Sequence, residues 1–328
     1  MEAVRPLSGY FVLLVALAGC SDEPVEVVLV PGSPDATRTV AFDADGALVA
    51  IGGPSAFGLA QLQRLDGEQW VHADGVASFG ASAQLLGGGA LPLYAISETT
   101  LYRLDDVAAF RWSAFPIPLG VTEGTLFGVD ASGAVYALDL SEGDGNGAVI
   151  TWRPGEVRWA ELAGSRPMGA LARGYVVEPS GRVSWIVPDV GVVRVDGGVQ
   201  ATIVDAGPVE ALTYDANGNL TFLACPVEQP PRMAKRLRDG ATVAQEARIP
   251  SSDVRCHGLV TAPDGTSLLA TLDASGAGGT LAVWDAGADG WSRVAPATRA
   301  LRYAIRDGAT AFGFGDALEL RGIYRVEF

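Results

Sequence analysis

The sequence predicts an all-β fold assembled from a repeated unit, and three observations carry that expectation. The first is a turn mark of the form Asp-x-x-Gly. It recurs at Asp43-Ala44-Asp45-Gly46, Gly87-Gly88-Gly89, Asp130-Ala131-Ser132-Gly133, Glu178-Pro179-Ser180-Gly181, Asp215-Ala216-Asn217-Gly218, Ala262-Pro263-Asp264-Gly265 and Asp307-Gly308. Successive last glycines stand 43, 44, 48, 37, 47 and 43 residues apart, the length of one four-stranded antiparallel unit. The second is texture: short β-type runs alternate with Gly, Asp, Pro and Ser, and no helical period holds over three turns. The third is composition, since 42 Gly, 19 Pro and 48% hydrophobic residues supply a large core interrupted by many turns.

Each mark has a physical reason. A tight hairpin needs a residue that tolerates positive φ, which Gly supplies, and Asp or Asn can hydrogen-bond its own backbone just ahead of it. The apolar run before a mark and the run after it are then the first two strands of a unit. In the opening unit these are Thr39 to Phe42 and Leu48 to Ile51, followed by Ala60 to Leu65 and Gln69 to Ala73. Third and fourth strands read likewise at Ala148 to Trp152 with Val157 to Leu162, and at Leu281 to Trp284 with Trp291 to Val294. Trp70, Trp112, Trp159 and Trp291 fall at like places in fourth strands, where a large ring would pack between neighbouring units.

The two ends suggest how the array closes. The last unit has strands near Arg302 to Ile305, Ala309 to Phe314 and Leu318 to Phe328, and lacks one. Ahead of the first unit lies an orphan strand, Val25 to Val30. Pairing the two completes the last unit and removes the exposed edges of an open array. The expectation is a seven-bladed β-propeller of four-stranded antiparallel blades over residues 25–328, its ring closed by the N-terminal strand. The run Leu48-Val49-Ala50-Ile51-Gly52-Gly53, with Arg64-Leu65-Asp66 and Trp70, resembles kelch-like and regulator-type propeller repeats. The di-glycine is not repeated: the equivalent places read Leu138-Asp139, Val187-Pro188 and Leu272-Asp273.

Residues 1–19 carry Arg5, the apolar run Leu7 to Ala16 and small residues before a cut, which reads as a secretory signal too short to stay as a spanning helix. Leu17-Ala18-Gly19-Cys20, opening into Ser21-Asp22-Glu23, resembles a bacterial lipobox. That resemblance implies cleavage before Cys20, a diacylglycerol thioether on its sulfur, and residues 20–24 as a lipidated tether to the membrane. Ser21 is not the Asp that favours inner-membrane retention in enteric bacteria, so attachment in the cell envelope is expected at the outer membrane in preference to the inner membrane.

The formal charge of −15 makes nucleic acid and anionic lipid surfaces poor partners. Of three cysteines, Cys20 is committed to lipid, which leaves Cys225 and Cys256 as one candidate disulfide in an oxidising compartment. Such a bridge would constrain the unfolded chain by about 3 to 4 kcal/mol in the entropy model. Both cysteines are placed on the face formed by the loops between units. Arg38, Glu123, Arg166, Glu210, Arg255, His257 and Arg302 are placed there too, as a candidate binding face. Mixed charges at such a mouth suit charge-assisted hydrogen bonds to a carboxylate, phosphate or carbohydrate, or pair with each other as a solvated rim.

With two histidines in the chain, His257 and the surface residue His72, no His-rich metal centre is expected. Gly143-Asp144-Gly145-Asn146-Gly147 lacks the alternating acidic ligands of a calcium loop, and Pro226 to Arg232 reads as a stiff insertion. No phosphate loop, dinucleotide fingerprint or nucleophile elbow is found. No cofactor is expected. The function expected is therefore a non-catalytic, monomeric binding or scaffold domain for a protein or envelope polymer. The alternative is an extracytoplasmic lyase or hydrolase acting on a sugar or lactone, with His257 as base beside Glu210 or Arg302.

Overall fold

The computed structural model describes residues 26–328 except 54–58, 77, 81–82, 98, 118–124, 140–146, 167–171, 205–208, 216, 225–232, 239–241, 249–254, 263–265, 273–274, 276–277, 286–289, 299–300, 308 and 318–319. For residues 26, 233–238, 242–248, 255–257, 285, 290, 293–296, 298, 316–317 and 320 it describes the backbone alone. The described residues form seven four-stranded antiparallel sheets and no α-helix.

Sheet one holds Ala36–Phe42, Leu48–Gly53, Gln61–Asp66 and Gln69–His72. Sheet two holds Gln84–Gly88, Leu91–Ile96, Thr100–Asp106 and Arg111–Pro116. Sheet three holds Leu126–Val129, Val135–Asp139, Ala148–Trp152 and a last strand of two residues, Ala160–Glu161. Sheet four holds Arg173–Val177, Val183–Val187, Gly191–Asp196 and Val199–Val204. Sheet five holds Val209–Tyr214, Leu220–Ala224, Met233–Arg238 and Thr242–Arg248. Sheet six holds Arg255–Thr261, Ser267–Leu272, Gly278–Asp285 and Gly290–Thr298. Sheet seven holds Arg302–Asp307, Thr310–Ala317 and Leu320–Glu327, and takes its fourth strand, Glu26–Leu29, from the other end of the chain. That last pairing aligns Glu26 with Glu327 and Leu29 with Tyr324, and Val30 N–H donates to Ile323 O at 2.8 Å.

Each sheet's first strand lies against the first strands of its neighbours, and sheet seven returns to sheet one. The sheets are thus arranged as a β-propeller. The second strands explain how they are held. In Leu48–Gly53, Leu48 and Ala50 join a cluster with Phe312, Phe314 and Ile323 of sheet seven, while Val49 and Ile51 join one with Leu93, Ala95 and Tyr102 of sheet two. Alternate residues of one strand therefore serve opposite neighbours, which is why the run is apolar throughout instead of alternating. Each fully buried Leu, Ile or Val contributes about 1.5 to 3 kcal/mol, so these strands carry much of the driving force.

The tryptophans follow the same plan. Trp70 packs in the cluster between sheets seven and one, Trp112 between one and two, Trp159 between two and three, and Trp291 between five and six. Trp159 lies just ahead of the short strand Ala160–Glu161 instead of within a strand running from Val157. It packs on Trp152 with ring centroids 5.8 Å apart.

Candidate functional site

The turn marks build one mouth of the ring. Asp43 Oδ1 accepts the backbone N–H groups of Asp45 (3.0 Å) and Ala47 (2.9 Å). Asp130 Oδ1 does the same with Ser132 (2.8 Å) and Ala134 (3.0 Å), and Asp215 Oδ1 with Asn217 (2.9 Å) and Asn219 (2.8 Å). One methylene is the length that sets a carboxylate over donors two and four residues ahead. The second oxygen takes a side-chain partner: Arg64 Nε at 2.6 Å for Asp43, the Tyr136 hydroxyl at 2.9 Å for Asp130, and Asn219 Nδ2 at 2.7 Å for Asp215.

Tyrosines tie two of the turns, those of sheets three and four, to the sheet before each. Tyr94 of sheet two donates to Gly133 O at 2.8 Å, and Tyr136 of sheet three also lies 3.3 Å from Gly181 O. Burial pushes the Tyr94 phenol up to about 12. Burial, and then the hydrogen bond to Asp130, raise that of Tyr136. Sheet four carries Ser184 at the corresponding place, and here Tyr214 reaches back from sheet five. Its hydroxyl lies 2.8 Å from Ser184 Oγ and accepts from Arg194 Nη2 at 2.7 Å and Nε at 3.1 Å.

Sheet two departs from the mark. Gly87 and Gly88 have positive φ, and a Cβ on Gly88 would collide with the Phe42 carbonyl oxygen of sheet one. Gly89 N–H donates to that same oxygen at 2.8 Å. The three glycines let this turn press onto the neighbouring strand where an Asp cap would not fit.

Inside this mouth is a cavity of about 750 Å³ to which all seven sheets contribute. Its wall is mainly apolar, with Val40, Phe42, Leu91, Val177, Val260 and Ile305. A volume of this size and a wall of this kind are typical of small-molecule sites. Sequence reasoning placed the binding surface at the opposite mouth and missed this cavity. The signal available for it was the small residue after the cap in Asp43-Ala44 and Asp130-Ala131, matched by Ala90 in the glycine turn.

At the opposite mouth, the structure describes four of the seven candidate binding residues with their side chains. Arg38 is buried, and its Nη1 donates to Phe79 O at 2.9 Å and to Gly80 O in the segment leading into sheet two. Arg302 Nη2 donates to Arg38 O at 2.7 Å while its guanidinium lies over Phe314, 5.5 Å from the ring centroid. Arg166 pairs with Glu161 at 3.0 Å and with Asp139 at 3.8 Å. Glu210 is half-buried. Arg38 and Arg302 thus belong to the joints between sheets, and Arg166 to a paired rim. Arg255, Cys256 and His257 are described by backbone only, and Cys20, Glu123 and Cys225 lie outside the described residues, as do 143–146 and 226–232 of the two loops singled out in the sequence.

Backbone register adds a feature with no composition signal. Arg38, Glu210 and His257 are each the extra residue of a β-bulge between the first two strands of sheets one, five and six. Each stands five residues ahead of its turn position, Asp43, Asp215 or Ala262. Bulges re-aim side chains and cluster near sites. Among the described residues no group of three His, Cys, Asp or Glu side chains gathers to hold a metal ion.

No protein-family model and no curated protein matches the chain. Solved structures do. An oligogalacturonate lyase in complex with manganese aligns with a TM-score of 0.63 at 11% identity, covering 94% of each chain. Virginiamycin B lyase from Staphylococcus aureus aligns at 0.58 and 12%, over 93% of this chain and 99% of that one. YCF48 bound to D1 peptide aligns at 0.55 and 13%, over 93% and 97%. At these identities the likeness is one of fold, shared by lyases and by a peptide-binding propeller alike.

Proposed function

We propose that the chain is an extracytoplasmic lipoprotein, anchored in the cell envelope through Cys20, whose seven sheets act as the blades of a closed, non-catalytic binding propeller for a protein or envelope polymer. The observation that carries this reading is the state of the polar side chains. At both mouths the described carboxylates and guanidiniums with resolved partners are engaged in turns, joints between sheets or rim pairs, and none is held in the juxtaposition that acid–base catalysis needs. The YCF48 likeness shows that this fold can seat a peptide, and the lipobox-like tetrad Leu17-Ala18-Gly19-Cys20 supports the anchor. Residues 21–25 separate Cys20 from the strand Glu26–Leu29, a reach of about 17 Å when extended. The propeller is then held close to the lipid by the rim of sheet seven.

The bulge positions of Glu210 and His257 favour a second reading, because these residues occupy equivalent places in the adjacent first strands of sheets five and six. A base and a carboxylate so placed would serve a lyase or hydrolase of sugars or lactones. Cross-linking and capture from the native envelope with the full chain decides between them. The scaffold reading expects a specific partner that is lost with Arg166→Ala, Glu210→Ala and His257→Ala combined. Saturable turnover that vanishes with His257→Ala alone would replace it by the enzyme reading. Palmitate labelling lost on Cys20→Ser checks the anchor.

A further inference from the structure

We propose that the cavity at the turn-mark mouth is a second, separate binding site, selective for an uncharged, largely apolar small molecule. This deepens the binding reading, on which it rests, by adding a ligand class and a place distinct from the partner-binding face. Five of the described lining residues have polar side chains, and each is already engaged. Asp43 holds two backbone N–H groups and Arg64, and Asp215 holds two backbone N–H groups and Asn219. Arg306 donates to Asp307 at 2.8 Å and to Thr310 at 3.2 Å. The Tyr214 hydroxyl is taken by Ser184 and Arg194, and Thr261 shares a hydrogen bond with Ser267 at 2.9 Å.

An anion entering here would lose its hydration and meet one cation among the described lining residues, Arg306, already matched by Asp307, beside the carboxylates of Asp43 and Asp215, which is costly. An uncharged apolar body gains by covering Phe42, Leu91, Val177 and Ile305. The innermost strands present main-chain groups on their channel edge, so an amide or hydroxyl on the ligand can be met without any side chain.

The rim keeps this bowl accessible. Ala44, Ala90 and Ala131 are exposed and line the opening, and a Cβ on Gly46 would meet nothing within 4 Å. Larger side chains at these positions would close the mouth without touching the core. The exposed, small rim and the apolar wall with satisfied polar groups are independent features, and both point to entry by a neutral ligand.

The probe is a matched pair, 1-naphthylacetamide and 1-naphthylacetate, alike in shape and differing in charge. Binding is measured by equilibrium dialysis against the full chain carrying Cys20→Ser, and against the same chain with Ala44→Trp or Ala131→Trp. Circular dichroism melts confirm that both variants fold. The expected result is saturable, one-to-one binding of the amide, at least tenfold tighter than the carboxylate, and weakened at least tenfold by either Trp. Absence of saturable amide binding, equal affinity for the carboxylate, or indifference to both Trp substitutions would overturn the proposal. Partner capture with the Ala44→Trp chain separates the two readings. A partner retained while the amide is lost supports two sites, whereas a partner captured by a chain that never binds the amide sinks this inference alone.

Discussion

Sheets three and four carry the same turn mark with one methylene of difference, and the two carboxylates do different work. Asp130 closes its own turn through Ser132 and Ala134 and holds Tyr136 with its other oxygen. Glu178 overshoots its turn. Its Oε1 accepts from Arg182, which also approaches Asp196 at 3.5 Å, and its Oε2 has no hydrogen-bond partner among the described residues. The hydrogen bond that Arg182 donates to Glu178 is the main reason its guanidinium is held above its usual range. A cap and an ion pair are thus alternative uses of one position, selected by side-chain length.

The largest effect expected from this contrast is on stability. Asp130→Ala strips a buried acceptor from two backbone N–H groups and a buried phenol, and should cost about 3 kcal/mol. Glu178→Ala removes an ion pair to a partly exposed arginine and one unsatisfied oxygen, and should cost about 1 kcal/mol. Urea midpoints for the two variants, with unchanged slopes, check this. Equal losses would mean that the position matters only as a space filler.

The next effect concerns how the overshoot is accommodated. Gly218, in the turn of sheet five, has φ of 78°, and a Cβ there would run into the Glu178 carboxylate. Gly46 has φ of 76° with open space around it. Gly46→Ala should cost about 1 kcal/mol for backbone strain alone. Gly218→Ala should cost about 2 kcal/mol, and Glu178→Ala should recover the excess. A double variant no better than the sum of the singles would show that the turn, and not the neighbouring carboxylate, sets the cost.

How much of this was legible in the sequence follows from the range of the interaction. The Asp caps act within five residues, so spacing and residue type disclosed them, and the closing strand was visible because β-type runs at both ends lacked partners. The bulges at Arg38, Glu210 and His257 were not visible, because register depends on which residues of the second strand stand opposite. The ties from Tyr94 to Gly133 and from Arg38 to Phe79 join residues about forty apart in the chain, outside any one hairpin, and their residue types fit ordinary strand positions equally well. The cavity was missed for the same reason: each sheet contributes a small part, and no single segment carries its signature.

A third expectation follows the tyrosine ties through pH. The Tyr94 phenol titrates at about 12 when folded, against about 10 in the unfolded chain. A raised folded value favours the neutral form, so its contribution is complete below about pH 10 and is lost as pH rises from 10 towards 12. Tyr136 shifts in the same direction. Urea midpoints should therefore fall over that window. Tyr94→Phe should cost about 1 kcal/mol at neutral pH for the bond to Gly133, yet decline less steeply in alkali. An unchanged alkaline slope would place the titrating groups elsewhere.

The smallest effect belongs to the rim. Arg166 is paired with Glu161 and Asp139, but all three side chains are partly exposed. Water and salt screen such pairs, so Arg166→Ala should cost no more than about 0.5 kcal/mol, and less in high salt. That contrasts with Arg302, whose donation to Arg38 O bridges sheets seven and one. The near-neutral cost is what gives Arg166 its value as a reporter. A loss of partner capture on Arg166→Ala with an unmoved melting temperature would assign the residue to recognition, because its structural share is too small to act through the fold. A melting shift of several degrees would instead show that Glu161, in the two-residue outer strand of sheet three, depends on this pair to keep that short edge in place.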